Sequence, residues 1–427
     1  MTATLAFFGL FVLLLALGAP ILTAVGAAGL AFLWTHGLGV QVMAANVYSN
    51  IAKFPLLAIP FFILAGYVLD RVGVSRKLVD LLSLLIGPVP GGLALVAVGG
   101  CVLFGAISGT GPADTAAIGT LMIPAMVRRG YDVSFAAAVV AAAATTDVLI
   151  PPSVAFVVYG VITQTSVPRL FAAGVVPGLL MGAALAIPVY LISRRRGWGG
   201  DRWGTLPEIA RATWDAKWGL LAPVVILGGI YSGIFTPTEA AVVGVAYGLF
   251  VGLVVQRNVT LRDLYDTFLE AGVASAVVMS VVAFAGLYSW TGATLGVMDQ
   301  AAKAVAGLTD SPYVLLLLLN GLFLLAGMAL DAISIFYVFL PILMPVMAKF
   351  GWDPVWFGVV MAVNLSIGTL TPPVALNLYV ASHIAKAPLG QIARAVLPLL
   401  ASLVVVLLLL TYCPALSLWF PDLLGVR

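Results

Sequence analysis

Long apolar runs, broken by short polar or Gly/Pro-rich stretches, fill nearly all 427 positions of the chain. A helix needs about 20 apolar residues to cross a hydrocarbon core. On that measure the runs predict full spans at 4–18, 20–35, 54–70, 134–164, 170–193, 218–235, 237–256, 273–291, 354–385 and 393–412. Two further stretches, 91–128 and 312–349, divide into half-length arms and predict helical hairpins that enter and leave by one face. An amphipathic piece precedes each hairpin, Arg76 to Leu85 before the first and Met298 to Val305 before the second. Charges on one face and small apolar residues on the other suit helices lying along the interface.

The pattern occurs twice. At an offset of 221 positions Gly130-Tyr131-Asp132 recurs as Gly351-Trp352-Asp353, Pro151-Pro152 as Pro372-Pro373, and Pro124, Met126, Ala141 and Pro177 fall on Pro345, Met347, Ala362 and Pro398. Duplicated apolar halves with breaks at matching places are the mark of a transporter built from internal repeats, whose interrupted helices meet at the bilayer midplane. The expected fold is an all-α membrane protein of two inverted repeats, with re-entrant hairpins and discontinuous helices. The first repeat occupies 1–193, a polar cytoplasmic linker 194–217 and the second repeat 218–427.

Composition agrees: 62% of residues are hydrophobic and 9% charged, too few to keep a soluble surface wet. Two cysteines give no disulfide framework, two histidines give no ordinary zinc site, and the net charge of +3 gives no reason to expect nucleic acid. The start of the chain lacks the basic residues of a cleavable leader and reads as a retained span. The proposed spans place fifteen of the twenty Lys and Arg on one side, Arg71, Arg128, Arg194 to Arg196 and Arg394 among them. The positive-inside rule makes that side cytoplasmic and puts both termini outside. Each half then crosses five times, and the odd number inverts the second repeat.

Candidate chemistry lies at the breaks. The first hairpin turns at Ser108-Gly109-Thr110-Gly111-Pro112-Ala113-Asp114, residues that cannot sustain a helix in lipid. The freed backbone groups must be met by protein, water or an ion, and the helix starting near Pro112 turns its positive end toward an anion. Asp114 in that first turn reads as dipole compensation. The next span breaks at Thr145-Thr146-Asp147 before Pro151-Pro152, where prolines remove two N–H donors and free carbonyls one turn earlier. Those carbonyls and the Thr hydroxyls are hard oxygen ligands fit for Na⁺. The second copy has Gly327 to Asp331 at its hairpin tip and Asn364, Ser366, Thr369 and Thr371 before Pro372-Pro373, with Asn377 one turn on. Asp147 and Asp331 are ionisable groups at apparent membrane depth, which makes them functional candidates; Asp147, whose repeat partner is Gly368, alternatively faces an aqueous cavity. Asp132, Asp353 and Glu239 stand where helix-starting acids belong.

Gly233-Ile234-Phe235-Thr236-Pro237-Thr238-Glu239-Ala240-Ala241, the Ser-Gly-Thr-Gly turn, Ile150 to Ser153, Gly327 to Asp331 and Asn364 to Pro373 with Asn377-Leu378 together resemble the large membrane subunit of tripartite ATP-independent periplasmic (TRAP) transporters over nearly the whole chain. The resemblance implies an elevator-type, Na⁺-driven importer of organic acids such as C4-dicarboxylates, keto acids or sugar acids in a bacterial inner membrane. It implies two partners, a small four-helix membrane subunit and an extracytoplasmic substrate-binding protein. Family sodium sites match Ser108, Gly111, Thr145, Thr146 and Asp147 in the first repeat, and Gly327, Asp331, Ser366, Gly368 and Thr369 in the second. Ser108, Gly109, Thr110, Asp331, Asn364 and Asn377 are the candidate substrate contacts. Asp147 departs from the family, where a small residue such as Gly is expected, and the added carboxylate opens the coupling stoichiometry.

Two other readings stand beside this one. A stand-alone Na⁺- or H⁺-coupled carboxylate symporter would need no binding protein, and nothing in the chain alone excludes it. An intramembrane enzyme would call for an HExxH motif, a Ser/Lys pair or a facing Asp dyad, none of which the sequence shows.

Overall fold

The computed structural model describes residues 2–39, 41–199 and 202–426, and all its regular structure is helical. The first half contains α1 (Thr2–Ala16), α2 (Ile21–Thr35), α3 (Gln41–Ile51), α4 (Ala58–Arg71) and α5 (Val74–Ile86). The hairpin α6 (Gly92–Ser108) and α7 (Gly111–Arg128), the broken pair α8 (Val133–Ala143) and α9 (Val154–Thr163), and α10 (Val167–Arg196) follow. The second half repeats the order with α11 (Leu206–Tyr231), α12 (Pro237–Phe250), α13 (Leu261–Thr294) and α14 (Val297–Ala306). Its hairpin is α15 (Pro312–Gly327) and α16 (Ala332–Phe350), its broken pair α17 (Pro354–Gly368) and α18 (Leu376–Ala385), and α19 (Leu389–Tyr412) and α20 (Ala415–Leu423) end the chain.

Local chemistry sets these boundaries. Asp132 and Asp353 cap α8 and α17: Phe135 N–H donates to Asp132 at 2.9 Å, and Val355 N–H to Asp353 at 2.7 Å. Thr236 and Glu239 form a reciprocal capping box at the start of α12. The amphipathic α5 and α14 bury Val74, Leu78 and Leu81, and Val297, Met298 and Ala302.

Both hairpins return to the face they left. At the base of the first, Gly91 N–H donates to Trp198 O at 2.8 Å and Tyr131 Oη donates to Gly199 O at 3.0 Å, so both ends meet one segment. In the second, Lys349 Nζ at the end of α16 donates to Ala306 O at 2.9 Å, close in sequence to the start of α15.

Several expectations need correcting. Among the described residues six helical segments are long and apolar enough to cross a membrane singly, and they include Ala332–Phe350, an arm expected to be half-length. The span expected at 273–291 extends back to Leu261, because Thr260 and Asp263 form a capping box and the charged first turns continue the helix beyond the apolar stretch. Its first-repeat counterpart is split into α3 and α4 around Phe54-Pro55, whereas residues 261–294 contain no proline. Helix α11 starts inside the expected linker, and the segment before it is docked. Trp198 stacks on Tyr131 with ring centroids 5.0 Å apart, Gly204 N–H donates to Leu84 O at 3.1 Å, and Trp203 covers Gly87.

Helices α2, α3, α4, α12 and α13 pack mainly on one another, as do α6 to α8, α10 and α17 to α19, with α4 against α6 and α13 against α16 along the seam. Hairpin and broken helix meet backbone to backbone. A Cβ on Gly368 would lie 2.6 Å from Gly327 backbone atoms, and one on Gly105 would lie 3.0 Å from the Asp147 Cα.

Two outcomes follow. Gly368→Ala forces the second hairpin off its broken helix and should cost about 1–3 kcal/mol, read as earlier thermal unfolding in detergent, whereas Gly321→Ala, with open space around it, should leave the melting point unchanged. At the docked segment, Glu208 accepts from Arg202 Nη1 at 3.0 Å and from Thr205 N–H at 2.8 Å, and these bonds, the Arg202 one foremost, hold its carboxyl down at about 2. A depressed carboxyl contributes above its ordinary range and loses that contribution as pH falls toward 2. Glu208→Gln should therefore speed tryptic cleavage after Arg202 at neutral pH, where the wild-type anchor is intact.

Candidate functional site

The first tip is two residues long. Helix α6 ends at Ser108, Gly109 turns with φ of +64°, Thr110 is extended and α7 begins at Gly111 with Pro112 in its first turn. The tip presses on the break between α8 and α9: a Cβ on Gly109 would lie 2.6 Å from Pro152 O. There the α-helix gives way to a 3₁₀ turn over Ala144–Val148 and ends, with a cis bond between Pro151 and Pro152, before Ser153 caps α9.

Asp114 and Asp147 are both fully buried at this junction. Ser108 Oγ donates to Asp114 Oδ1, while Asp114 Oδ2 and both carboxylate oxygens of Asp147 have no hydrogen-bond partner. Asp114 Oδ2 and Asp147 Cβ lie 3.3 and 3.0 Å from one point, the place a Cβ on Gly105 would take. Thr145 and Thr146 are buried and donate to Ala142 O at 2.6 Å and Ala143 O at 2.8 Å, which leaves their hydroxyl oxygens free to accept or ligate. Asn377 of the second repeat reaches into this tip: its amide atoms lie 3.1 Å from the Cβ position of Gly111, its Nδ2 donates to Ala141 O at 3.4 Å and its Oδ1 is unpartnered. Burying carboxylate oxygens without partners is costly. Asp114 Oδ2, the Asp147 carboxylate and the Thr145 and Thr146 hydroxyls are hard oxygen ligands that could hold a cation such as Na⁺ at this junction.

The second tip holds a single acid, Asp331, among otherwise uncharged groups. Gly327 meets Gly368 in place of the contact between Gly105 and Asp147. Asp331 caps α16, accepting from Ile333 N–H at 3.0 Å and Ser334 N–H at 3.2 Å, so its side chain is committed within its own helix. Ser366 O accepts from Thr369 Oγ1 at 2.7 Å, and Thr369 O from Asn377 N–H at 3.2 Å. A cis bond joins Pro372 to Pro373 as in the first repeat. Asn364 Nδ2 donates to Asn320 Oδ1 at 2.8 Å, and Asn320 in turn donates to Thr411 at 2.9 Å.

A cavity of about 420 Å³ opens on the first tip, walled by α4, α6, α7 and α13. Ser108 and Thr110 line it, with Tyr67, Asp70, Arg71 and Glu270. Of the candidate substrate contacts, Gly109, Asp331, Asn364 and Asn377 are outside its lining. The sequence reading missed the α4 and α13 side chains. Arg71 was placed among the loop charges, yet it reaches Asp263 at 2.9 Å and faces the cavity. The available signal was Asp70-Arg71 closing an otherwise apolar run. Asp114, read as dipole compensation, lies in the first turn of α7 and also accepts from Ser108 across the tip.

Comparison with known proteins agrees with this architecture. Two solved structures share the fold: the YdaH transporter of Alcanivorax borkumensis (TM-score 0.64, 17% identity, 98% of each chain) and MtrF of Neisseria gonorrhoeae (TM-score 0.58, 15% identity, 87% of this chain and 84% of that one). In sequence, the chain is 46% identical over 415 residues to the isethionate TRAP transporter permease protein DctMQ of Oleidesulfovibrio alaskensis, matching 97% of this chain but spanning only 65% of that longer relative. It is 42% identical over 392 residues to the C4-dicarboxylate TRAP transporter large permease protein DctM of Pseudomonas aeruginosa, with 91% of each covered. It is 38% identical over 400 residues, 92% of each chain, to the sialic acid TRAP transporter large permease protein SiaM of Vibrio cholerae. The profile described as "Tripartite ATP-independent periplasmic transporter, DctM component" matches residues 8–416, and with it the chain belongs to the TRAP transporter large permease family.

Proposed function

We propose that this chain is the large membrane subunit of a Na⁺-coupled importer that moves small organic acid anions into the cytoplasm. The observation that carries this reading is the first tip: two buried carboxylates with three unpartnered oxygens, beside a cavity that begins at Ser108 and Thr110. The relatives named above handle C4-dicarboxylates, isethionate and sialic acid, which share an anionic group on a small polar body. The substrate class is therefore a carboxylate or sulfonate of that size.

Ser108, Gly111, Thr145, Thr146 and Asp147 would hold the cation of the first repeat, and Gly327, Asp331, Ser366, Gly368 and Thr369 that of the second, Asp331 through its backbone. Bound there, Na⁺ supplies the positive charge that offsets the buried carboxylates and favours an anionic solute nearby. The chain's own groups do the rest. The first-turn N–H groups of α7 and the Thr110 side chain orient an anion at the cavity's inner end, where Ser108, its hydroxyl donated to Asp114, forms part of the wall. Gly66 lets α4 approach to within 2.9 Å of Ser108 Cα, measured from its would-be Cβ, giving the tip a smooth surface to slide along. The hairpins and broken helices move as a body against α2 to α4 and α11 to α13, in the manner of an elevator. With the Arg-rich face cytoplasmic and both termini periplasmic in the inner membrane, the cavity opens inward. The added length of the DctMQ relative fits a small partner membrane subunit fused to it, and an extracytoplasmic binding protein delivers the solute.

Uptake of a radiolabelled C4-dicarboxylate or isethionate into proteoliposomes, with the partner subunit and binding protein present, tests the reading. Replacing Na⁺ by K⁺ should abolish accumulation, and transport that persists would refute coupling. Asp147→Asn should raise the Na⁺ concentration for half-maximal uptake about tenfold or more, a factor of ten being about 1.4 kcal/mol. Omitting the binding protein should stop uptake; unaffected uptake would favour the stand-alone symporter.

A further inference from the structure

A second cavity, of about 410 Å³, lies where the two repeats meet at the Arg-rich face. The end of α10 supplies Arg195 and Arg196, the start of α19 supplies Arg394, and Asp132, Phe135 and Trp198 complete its polar and aromatic wall. Ile192, Ala395 and Pro398 give it an apolar floor. All three guanidinium groups belong to exposed residues, and none has an acidic partner within salt-bridge distance among the described residues. The one carboxylate among the described lining residues, Asp132, is engaged in capping α8 through Phe135 N–H. Trp198 is fixed by stacking on Tyr131 and lies 5.1 Å, ring to ring, from Phe135.

Basic residues at this interface are ordinary, and scattered ones need no ligand. These three differ in arrangement. They converge from both halves of the chain on one concavity, without an acidic partner among the described residues, above an apolar floor of Ile192, Ala395 and Pro398. A free phosphate would use the charges and leave the apolar floor idle. Three guanidinium groups against one committed carboxylate leave charge for more than one phosphodiester, and Arg forks bind phosphate oxygens bidentately. Basic pockets between transmembrane helices at this depth suit anionic head groups.

We propose that this cavity is a binding site for an anionic phospholipid. Its phosphodiester head group is held by Arg195, Arg196 and Arg394, and its acyl chains run down beside Ile192 and Pro398. Occupancy ties α8, one of the helices proposed to move, to α10 of the first repeat and α19 of the second.

The full-length chain, purified in detergent and stripped of lipid, provides the test. Diphosphatidylglycerol should raise its melting temperature by several degrees and remain bound as one molecule by native mass spectrometry. Phosphatidylcholine, and inorganic phosphate at matched concentration, should do neither. Substituting R195Q, R196Q and R394Q together should weaken lipid binding at least tenfold. The control pair R76Q and R128Q, exposed basic residues outside the cavity, should bind as wild type. Should the triple variant fail to fold, Arg394→Gln alone, from the opposite repeat, should still weaken retention severalfold. Equal binding by wild type and Arg394→Gln, equal loss in the control pair, or stabilisation by inorganic phosphate alone would each overturn the proposal.

Discussion

The structure depends on backbone pressed against backbone at two hairpin tips. Unwound chain at membrane depth leaves peptide groups that lipid cannot satisfy, so each break has to be covered by protein. Gly327 against Gly368 covers one, and Gly105 against Asp147 with Gly109 against Pro152 O covers the other. At Gly368 and Gly109 even a methyl group would meet backbone atoms at 2.6 Å. Spacing of this kind lets carbonyls, hydroxyls and carboxylates from two separate segments converge on one volume, as a hard cation requires.

The two junctions share a plan and differ in charge. The second has one acid, Asp331, engaged in capping α16. The first holds two buried carboxylates, one of them at the position where the other repeat has glycine. The scaffold is asymmetric in a related way: α13 runs unbroken for 34 residues, while its counterpart is cut into α3 and α4 at Pro55. The cavity at the first tip lies against α4, the later piece of that cut helix. In the proposed mechanism these asymmetries make the first junction the one that senses charge and faces the pathway.

Much of this was legible in the sequence because proline, glycine and the 221-residue repeat are backbone signals. The tips, both breaks, the amphipathic helices α5 and α14 and the caps at Asp132 and Asp353 all follow from where polar and small residues stand. What escaped depends on packing between distant segments. The pairing of Asp114 with Ser108 and the arrival of Asn377 at Gly111 join residues that no local pattern connects. Arg71 and Glu270 look like loop charges until α4 and α13 are placed side by side. The docking of Trp198, Trp203 and Gly204 was hidden by the polarity of their stretch, which reads as linker whether or not those residues find partners.

Amide hydrogen exchange of the full-length chain in nanodiscs, compared in Na⁺ and in K⁺ at equal ionic strength, addresses the paired junctions most directly. Na⁺ should slow exchange within 144–153 and 369–375 and at the tips 108–111 and 327–331, and leave α2 and α12 unchanged. Exchange indifferent to Na⁺ at both breaks, or slowed uniformly along the chain, would contradict the account.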